Sequence, residues 1–263
     1  MEEKYRTCLR ALGDLLMPRA CLVCGCALGR HERHLCLRCA ADVPYTYEWL
    51  SPHNPLADRF NAVLEAHRGT EPAAYAYATA LMYYKGPYRQ IPKALKYGGN
   101  VAAGRWFGAL LGRRIAAAPH LADVDLVLPV PLHWTRRRSR GYNQAEVLAR
   151  AIVLGINSFR SAHPGAAPPA AVGTGLLVRT RRTRTQTRLS VEQKAMNVAS
   201  AFRVPRRVRK APVQPLSSAR HILLVDDTFT TGATLYACYA ALRPFTEARI
   251  SVATLAAVEG NPA

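Results

Sequence analysis

The chain has 263 residues, 49% of them hydrophobic, and its 36 Lys and Arg residues against 17 Asp and Glu give a formal net charge of +19. This composition indicates a globular protein of one large or two small domains, and no apolar run reaches the roughly 18 residues of a membrane-spanning helix. The positive charge predicts anionic ligands such as phosphates, pyrophosphate or nucleic acid. Acidic residues Glu2 and Glu3 stand where a secretory signal would be cationic, so we expect a cytoplasmic protein.

Residues 4–17 have the apolar spacing of a short amphipathic helix that ends before Pro18. The apolar positions are Cys8, Leu12, Leu15 and Leu16. We expect this helix to pack on the body of the protein. A helix lying on a membrane surface fits less well, because the segment is short and carries both signs of charge.

Two Cys-x-x-Cys turns come next, and together they predict a zinc site. The four cysteines are Cys21, Cys24, Cys36 and Cys39. Each turn directs two thiolates to one point, and two turns complete a tetrahedron without an open position, so the zinc would be structural. Cys26 and His34 are close in sequence and could replace one ligand, whereas disulfide bonds are the weaker interpretation in a reducing cytosol.

The segment from residue 44 to 72 is rich in Pro, His and Asn, which indicates a connector with one short helix. Residues 74–84 alternate with strand periodicity, and this strand could lie at a sheet edge or in a small hood. A helix from Pro87 to Lys96 is expected to follow. Asn100 is suited to cap a second helix that begins at residue 101.

Residues 125–131 predict a buried strand, and Asn143 with Glu146 forms a capping pair for a helix that continues to about Leu154. The loop between strand and helix carries four arginines: Arg136, Arg137, Arg138 and Arg140. A basic loop at the carboxyl end of a strand, ahead of a helix N-terminus, is where an α/β fold binds anions. A solvated basic loop is the alternative.

Residues 161–175 are rich in Ala, Pro and Gly, which predicts a flexible insertion without regular structure. Short strands are expected at 176–179 and 201–204. A basic, threonine-rich mobile loop and a helix capped by Ser190 and Gln193 lie between them. Residues 205–219 indicate a second basic connector.

Ile222 to Val225 predict a buried strand that stops at two adjacent carboxylates, Asp226 and Asp227. A turn rich in Thr and Gly follows and leads into a helix near Ala233, and a last strand covers 249–258. The N–H groups of such a turn and of a first helical turn can bind a phosphate. The acids suit sugar hydroxyls or the water shell of Mg²⁺. A phosphate beside a diol describes a ribose 5-phosphate.

This stretch resembles the loop of type I phosphoribosyltransferases that binds phosphoribosyl pyrophosphate (PRPP). The resemblance implies that the two acids hold the ribose 2- and 3-hydroxyls and that the turn cradles the 5-phosphate. The implied PRPP site consists of Asp226, Asp227, Thr228, Thr230, Thr231, Gly232, Ala233 and Thr234.

Beyond this loop, five segments follow one another in a fixed order: the cysteine module, ALKYGGN, LPVPLHWTRRRSRGYNQA, RTRRTRTQTRLSVEQKAMNVASAF and VDDTFTTGAT. This order resembles the ComF family of competence-associated phosphoribosyltransferase-like proteins. The match covers roughly residues 8–258. It implies Mg²⁺ with PRPP, and a pyrophosphate loop that contains Arg136, Arg137, Arg138, Arg140, Gly141 and Gln144. It also implies a flexible lid that contains Arg182, Thr183 and Gln186. Lys194 departs from the arginine expected there.

The implied fold is α/β, a type I phosphoribosyltransferase-like, mostly parallel sheet with helices on both faces and a small N-terminal zinc module of four cysteines. We expect the helix and zinc module within 1–55 and the larger domain over 56–263.

The implied function is binding or transfer of a ribose 5-phosphate group in connection with DNA uptake. Two alternatives are a PRPP-binding regulator without transfer activity and a single-stranded DNA-binding protein on a non-catalytic fold. No residue indicates a general base, so a base, an amine or a nucleic-acid-linked acceptor all stay open, and the sequence does not indicate an oligomeric state.

Overall fold

A five-stranded parallel sheet forms the centre of the molecule in the computed structural model, which describes residues 19–67, 74–180, 201–210 and 214–260. The strands are β1 (Ala78–Tyr83), β2 (Leu126–Pro129), β3 (Ala171–Val172), β4 (Val178–Arg179), β5 (Phe202–Arg203), β6 (His221–Phe229) and β7 (Arg249–Ala257). The order across the sheet is β1-β7-β6-β2-β3, and β4 and β5 form a separate antiparallel pair. The carboxyl ends of the five parallel strands therefore meet at one edge of the sheet.

Helices cover both faces of this sheet. They are α1 (Leu37–Ala41), α2 (Pro55–Ala66), α3 (Gln90–Tyr97), α4 (Val101–Ala117), α5 (Trp134–Arg140), α6 (Gln144–Ser161), α7 (Arg206–Lys210), α8 (Gln214–Ser218) and α9 (Ala233–Leu242). Successive side chains of β6 point to opposite faces. Leu223 and Val225 join the core formed with α4 and α6, and Ile222 and Leu224 join the core formed with α2 and α9. The predicted α/β fold is confirmed.

Strand β6 is longer than the sequence predicted. Its pairing with β7 continues through Asp226, opposite Thr254, to Phe229, opposite Ala257. The two acids therefore lie within the strand and not after its end. Backbone pairing with β7 fixes their positions, so they belong to the rigid part of the molecule.

The four arginines lie on a short helix, α5, where a loop was predicted. His133 caps this helix, its Nδ1 accepting a hydrogen bond from the Thr135 N–H, and Gly141 ends it with a φ of 78°. Arginine is a good helix former, and the sequence between these two capping residues contains neither Pro nor Gly. The turn after α5 leads directly to α6, which Asn143 caps as predicted and which reaches Ser161 in place of Leu154.

The segments predicted as connectors contain regular structure. The one helix predicted in the segment 44–72 is present as the 12-residue α2, and Asn54 Oδ1 caps it by accepting the Ala57 N–H. The insertion 161–175 supplies β3, which pairs with β2 at the sheet edge. Helices α7 and α8 lie within 205–219. Tertiary contacts override the turn-rich composition of these segments.

The strand predicted over 74–84 is β1, an edge strand of the main sheet that begins at Ala78. Its residues are buried on both faces. The predicted capping of the second helix is confirmed, since Asn100 Oδ1 accepts the Ala103 N–H at the start of α4.

Three predictions lie outside the described residues: the helix over 4–17, the helix capped by Ser190 and Gln193, and the lid with Arg182, Thr183 and Gln186. Within the described ranges, no helix combines the length and apolar character needed to cross a bilayer. The domain boundary near residue 55 stays a prediction. The cysteine region shares a core with α4, and Tyr88 donates a hydrogen bond to the Cys39 carbonyl.

Candidate functional site

The acid pair lies at the carboxyl edge of the central strand. Asp227 is 8% exposed, and the Asp226 Oδ1 accepts a hydrogen bond of 2.8 Å from the Asp227 N–H. Both residues line a cavity of about 210 Å³. The geometry therefore presents two adjacent carboxylates to one cavity.

The turn after β6 forms a second, smaller cavity of about 20 Å³ next to the acids. Its lining includes Asp226, Thr228, Thr230, Gly232, Ala233 and Thr234. Gly232 caps α9 with a φ of 78°, and a Cβ at this position would lie 2.9 Å from Phe229 Cζ. Only glycine fits this backbone without strain, and the first N–H groups of α9 have no partners within the helix.

Arg59 of α2 supports this turn from the neighbouring helix. Its guanidinium donates to the Thr230 carbonyl and to the Val258 carbonyl, each at 2.7 Å, and lies over the Phe229 ring. Phe60 from the same helix packs edge-on against Phe229. A turn held this way is preorganised, so less conformational entropy is lost when it binds a ligand.

The larger cavity brings together residues from distant parts of the chain. It is lined by Lys96, Tyr97, Val130, Leu132, Arg136, Arg140, Asn143, Gln144, Ala145, Arg179, Asp226, Asp227 and Thr234. Two of the four arginines of α5 thus line the same cavity as the acids. Arg137 and Arg138 are exposed to solvent and are absent from this lining, as is Gly141.

Sequence reasoning missed Lys96 and Tyr97 at the end of α3 as site residues. The Lys96 ammonium lies 2.8 Å from Asp227 Oδ1 and donates to Thr228 Oγ1 at 3.3 Å. The adjacent Tyr97 ring faces the Arg140 guanidinium at 5.2 Å. Both residues belong to the ALKYGGN stretch that carried part of the family resemblance, and this was the available signal.

The electrostatic environment of Asp226 favours its protonated form. Burial, and after it the charge of Asp227, raises the pKa of Asp226 to about 7, against the lowering effect of Lys96 and Arg179. Burial also lowers the pKa of Arg179, and the charge of Arg136 adds to that shift. Positive charges thus face one another in the cavity, and an anionic ligand would relieve this repulsion.

A candidate metal centre lies apart from the cavity, in the cysteine region. The sulfur atoms of Cys21, Cys24, Cys26 and Cys36 lie within 4.8 Å of one another, and those of Cys24 and Cys36 are 3.7 Å apart. A tetrahedral zinc site with bonds of about 2.3 Å places sulfur atoms about 3.8 Å apart. The four thiols therefore fit a metal such as zinc.

The group of four sulfur atoms includes Cys26, and Cys39, whose role as a ligand stays a prediction, lies beside this group. Gly25, with a φ of 75°, turns the chain so that the Cys21 N–H donates to the Cys26 carbonyl and the Cys26 sulfur lies 3.3 Å from that of Cys24. The Cys39 thiol is buried on α1, near the thiols of Cys21, Cys24 and Cys36. Five cysteine thiols therefore lie close together in this region.

Comparisons with curated proteins find relatives whose names refer to competence and DNA utilization. The chain is 30% identical to Competence protein F of Haemophilus influenzae over 113 residues, which cover 42% of this chain and 41% of the relative. It is 31% identical to DNA utilization protein YhgH of Escherichia coli over 111 residues, 42% of this chain and 40% of the relative. It is 25% identical to the YhgH protein of Salmonella typhimurium over 225 residues, 84% of this chain and 89% of the relative.

The first two matches span about two fifths of the length of the relatives. No family model matches the chain. Homologues with these names confirm the resemblance to the ComF family, at modest identity.

Proposed function

We propose that this chain, a homologue of proteins named Competence protein F and DNA utilization protein YhgH, binds PRPP or a similar ribose 5-phosphate ligand. The supporting observation is that Lys96, Arg136 and Arg140 line one cavity with Asp226 and Asp227, while the preorganised Thr/Gly turn forms an adjoining cavity that shares Asp226 and Thr234 with it. We place this activity in the cytoplasm, where thiols stay reduced for metal binding.

Each part of the proposed ligand has a chemically matched partner. The carboxylates accept hydrogen bonds from the two ribose hydroxyls. The turn at 230–234 and the N-terminus of α9 bind the 5-phosphate through backbone N–H groups and threonine hydroxyls. The guanidinium groups of Arg136 and Arg140 bind pyrophosphate oxygens.

The same arrangement suits transfer of the ribosyl group. In that reaction the bond between the anomeric carbon and the pyrophosphate oxygen breaks, and the electron pair leaves with pyrophosphate. An acceptor atom then forms a bond to the anomeric carbon. The arginines would stabilise the charge that develops on the leaving group, and the acids would hold the ribose in place. Bound Mg²⁺ would neutralise part of the pyrophosphate charge, and the carboxylate oxygens are suitable partners for its water shell.

Calorimetric titration with PRPP, with and without Mg²⁺, tests the proposal. Wild-type protein should bind PRPP. Asp227→Asn should weaken binding about ten-fold or more, because a carboxylate contributes more to a hydrogen bond than an amide does. Glu65→Gln removes an exposed acid of α2 and is the matched control. Absence of binding by the wild type, or unchanged affinity of Asp227→Asn, would contradict the proposal.

Release of pyrophosphate separates a transferase from a regulator. We propose transfer, with a base, an amine or a nucleic-acid-linked group as acceptor. Incubation of PRPP with candidate acceptors should release pyrophosphate faster with the wild type than with Asp227→Asn. Binding without release in the presence of every acceptor class would favour a PRPP-binding regulator.

A second candidate function is binding of single-stranded DNA, and the distribution of charge favours it. Arg203, Arg206, Arg207 and Arg209 are exposed on β5 and α7 and are absent from the cavity lining. The PRPP site does not account for these side chains. Exposed arginines of this density suit a phosphate backbone.

A further inference from the structure

The cysteine region holds one thiol beyond the number that a tetrahedral metal site uses. Four thiolates complete the coordination of zinc, and five cysteine thiols lie close together here. Cys24 belongs to the group of four sulfur atoms that the structure brings together, and it also belongs to the set that the two Cys-x-x-Cys turns predict. The metal therefore depends on Cys24 whether Cys26 or Cys39 completes the site.

Two of these five cysteines are open to solvent. Cys24 and Cys26 are exposed, whereas Cys21, Cys36 and Cys39 are buried. A cysteine that binds a metal is a thiolate, and oxidation of cysteine follows thiolate character and exposure. A water-soluble oxidant therefore meets Cys24 and Cys26 first.

The backbone between these two residues holds their sulfur atoms side by side. Gly25 has a φ of 75°, a conformation that glycine adopts without strain, and the sulfur atoms on either side of it are 3.3 Å apart. A disulfide bond of about 2.05 Å requires them to approach by about 1.2 Å. The sulfur atoms of Cys24 and Cys36 are 3.7 Å apart, which is the spacing of two ligands of one zinc ion. Cys24 and Cys26 are thus the better placed of these two pairs for a disulfide.

We propose that Cys24 and Cys26 form a peroxide-sensitive pair that releases the metal when it is oxidised. The Cys24 thiolate attacks one oxygen of hydrogen peroxide, the O–O bond breaks, and a sulfenic acid and a hydroxide form. The Cys26 thiolate then attacks the sulfenic sulfur, the disulfide forms and a second hydroxide leaves. Two electrons pass from the two sulfur atoms to the peroxide, and two protons from solvent convert the hydroxides to water.

The disulfide takes both exposed thiols out of the group, so three thiols remain there, one fewer than a closed zinc site of four cysteines requires. Metal binding contributes to the folding of such a module, and its buried cysteines share a core with Phe107 and Leu111 of α4. Oxidation should therefore release the ion and lower the unfolding temperature. A thiol reductant reverses the disulfide and lets the metal bind again.

Oxidation of the zinc-loaded full chain with hydrogen peroxide tests the proposal. A chromogenic chelator measures the released zinc. Alkylation of the free thiols, followed by reduction and alkylation with a second reagent, marks the cysteines that were oxidised. Trypsin leaves Cys21, Cys24 and Cys26 in one peptide, residues 20–30, and fragmentation of this peptide locates each label. We expect one zinc ion released per disulfide, the second label on Cys24 and Cys26 alone, and full recovery of zinc binding after reduction.

Three variants separate the pair from the other thiols. In Cys26→Ser the sulfenic acid on Cys24 has lost its neighbouring thiol, so dimedone should label it, and further oxidation to the sulfinic acid should prevent recovery of zinc binding. Cys39→Ser keeps the pair and should form the same disulfide as the wild type. Cys238→Ala changes a buried thiol of α9 and controls for total thiol content.

Four results would overturn the proposal: a wild-type chain that takes up no zinc, a second label on other cysteines, zinc that stays bound to the Cys24–Cys26 disulfide form, or recovery of zinc-loaded Cys26→Ser as complete as that of the wild type. If Cys26→Ser takes up no zinc or does not fold, the labelling pattern and zinc release of the wild type decide. None of these measurements involves PRPP, so their outcome leaves the proposed function untouched.

Discussion

The Lys96 ammonium lies 2.8 Å from the Asp227 carboxylate, so the last turn of α3 supplies the counter-ion for an acid of β6. The Lys96 side chain is 25% exposed and the Asp227 side chain 11%, which makes this a partly buried ion pair. Such a pair is weakly screened by solvent, and removal of one partner leaves a poorly solvated charge.

Lys96→Met is therefore expected to destabilise the protein by about 1–2 kcal/mol and to weaken PRPP binding. Methionine keeps the length of the side chain and its helix propensity but removes the charge. Urea unfolding and titration with PRPP measure the two effects. Lys93→Met, at an exposed position of the same helix, should change neither. Unaltered stability and affinity in Lys96→Met would show that the ion pair has no role.

Asp226 is expected to make the stability of the fold depend on pH. Its folded pKa of about 7 lies above the ordinary value of 3.8, because burial and Asp227 disfavour the ionised form. The folded state therefore holds this proton more tightly than the unfolded state, and stability falls as the pH rises from about 4 through 7. Since Asn cannot ionise, Asp226→Asn should be more stable than the wild type at pH 8, by at least about 1 kcal/mol, with a smaller difference at pH 5.

Unfolding of both proteins by urea at pH 5 and pH 8 measures this difference. Burial also raises the pKa of Glu48 to about 7, so the wild type should keep losing stability with pH through a second group of the same sign. The comparison with Asp226→Asn isolates the contribution of the cavity acid. A difference that shrinks as the pH rises would contradict the expected sign.

The local part of this site could be predicted from the sequence, and the non-local part could not. Asp226, Asp227 and the turn to Thr234 are consecutive, so the change from a strand pattern to a Thr/Gly turn marks them. Lys96 reaches the same cavity from a helix far earlier in the chain, and only the packing of α3 beside β6 places it there. No local periodicity carries that information.

The arginines of α5 and the clustered cysteines show that the sequence also leaves open which of several neighbouring side chains reach a site. The charge of the α5 segment was evident, but helical geometry directs Arg136 and Arg140 to the cavity and leaves Arg137 and Arg138 in solvent. Spacing predicted Cys39 as a metal ligand, whereas the turn at Gly25 brings Cys26 into the group of four. Side-chain direction depends on backbone dihedrals that the spacing of residues does not specify.

One metal ion per chain, zinc in our prediction, is expected on the cysteine group. Cys21→Ser and Cys36→Ser should each lose the metal and lower the unfolding temperature, because both sulfurs lie in the group of four. Cys238→Ala changes a buried thiol of α9 outside the group and should keep the metal. Elemental analysis of protein purified without added metal measures the content, and a parallel comparison of Cys26→Ser with Cys39→Ser identifies the fourth ligand. Metal-free protein that stays folded would contradict the prediction.

The exposed arginines of α7 are expected to contribute to the salt dependence of single-stranded DNA binding. Each phosphate contact adds about 0.7 to the slope of log affinity against log salt for single strands. Replacement of Arg206, Arg207 and Arg209 by Gln should therefore lower the slope by about 2 and weaken binding to all sequences alike. The matched control replaces Arg30, Arg105 and Arg113, which are also exposed, and it removes the same net charge from other parts of the surface. If both triple variants lose the same slope, the effect comes from net charge alone and α7 is not a DNA contact.

Adding pyrophosphate at saturating concentration should leave the contribution of α7 intact, because these arginines are absent from the cavity lining. Complete displacement of DNA by pyrophosphate would instead place the DNA phosphates in the cavity itself.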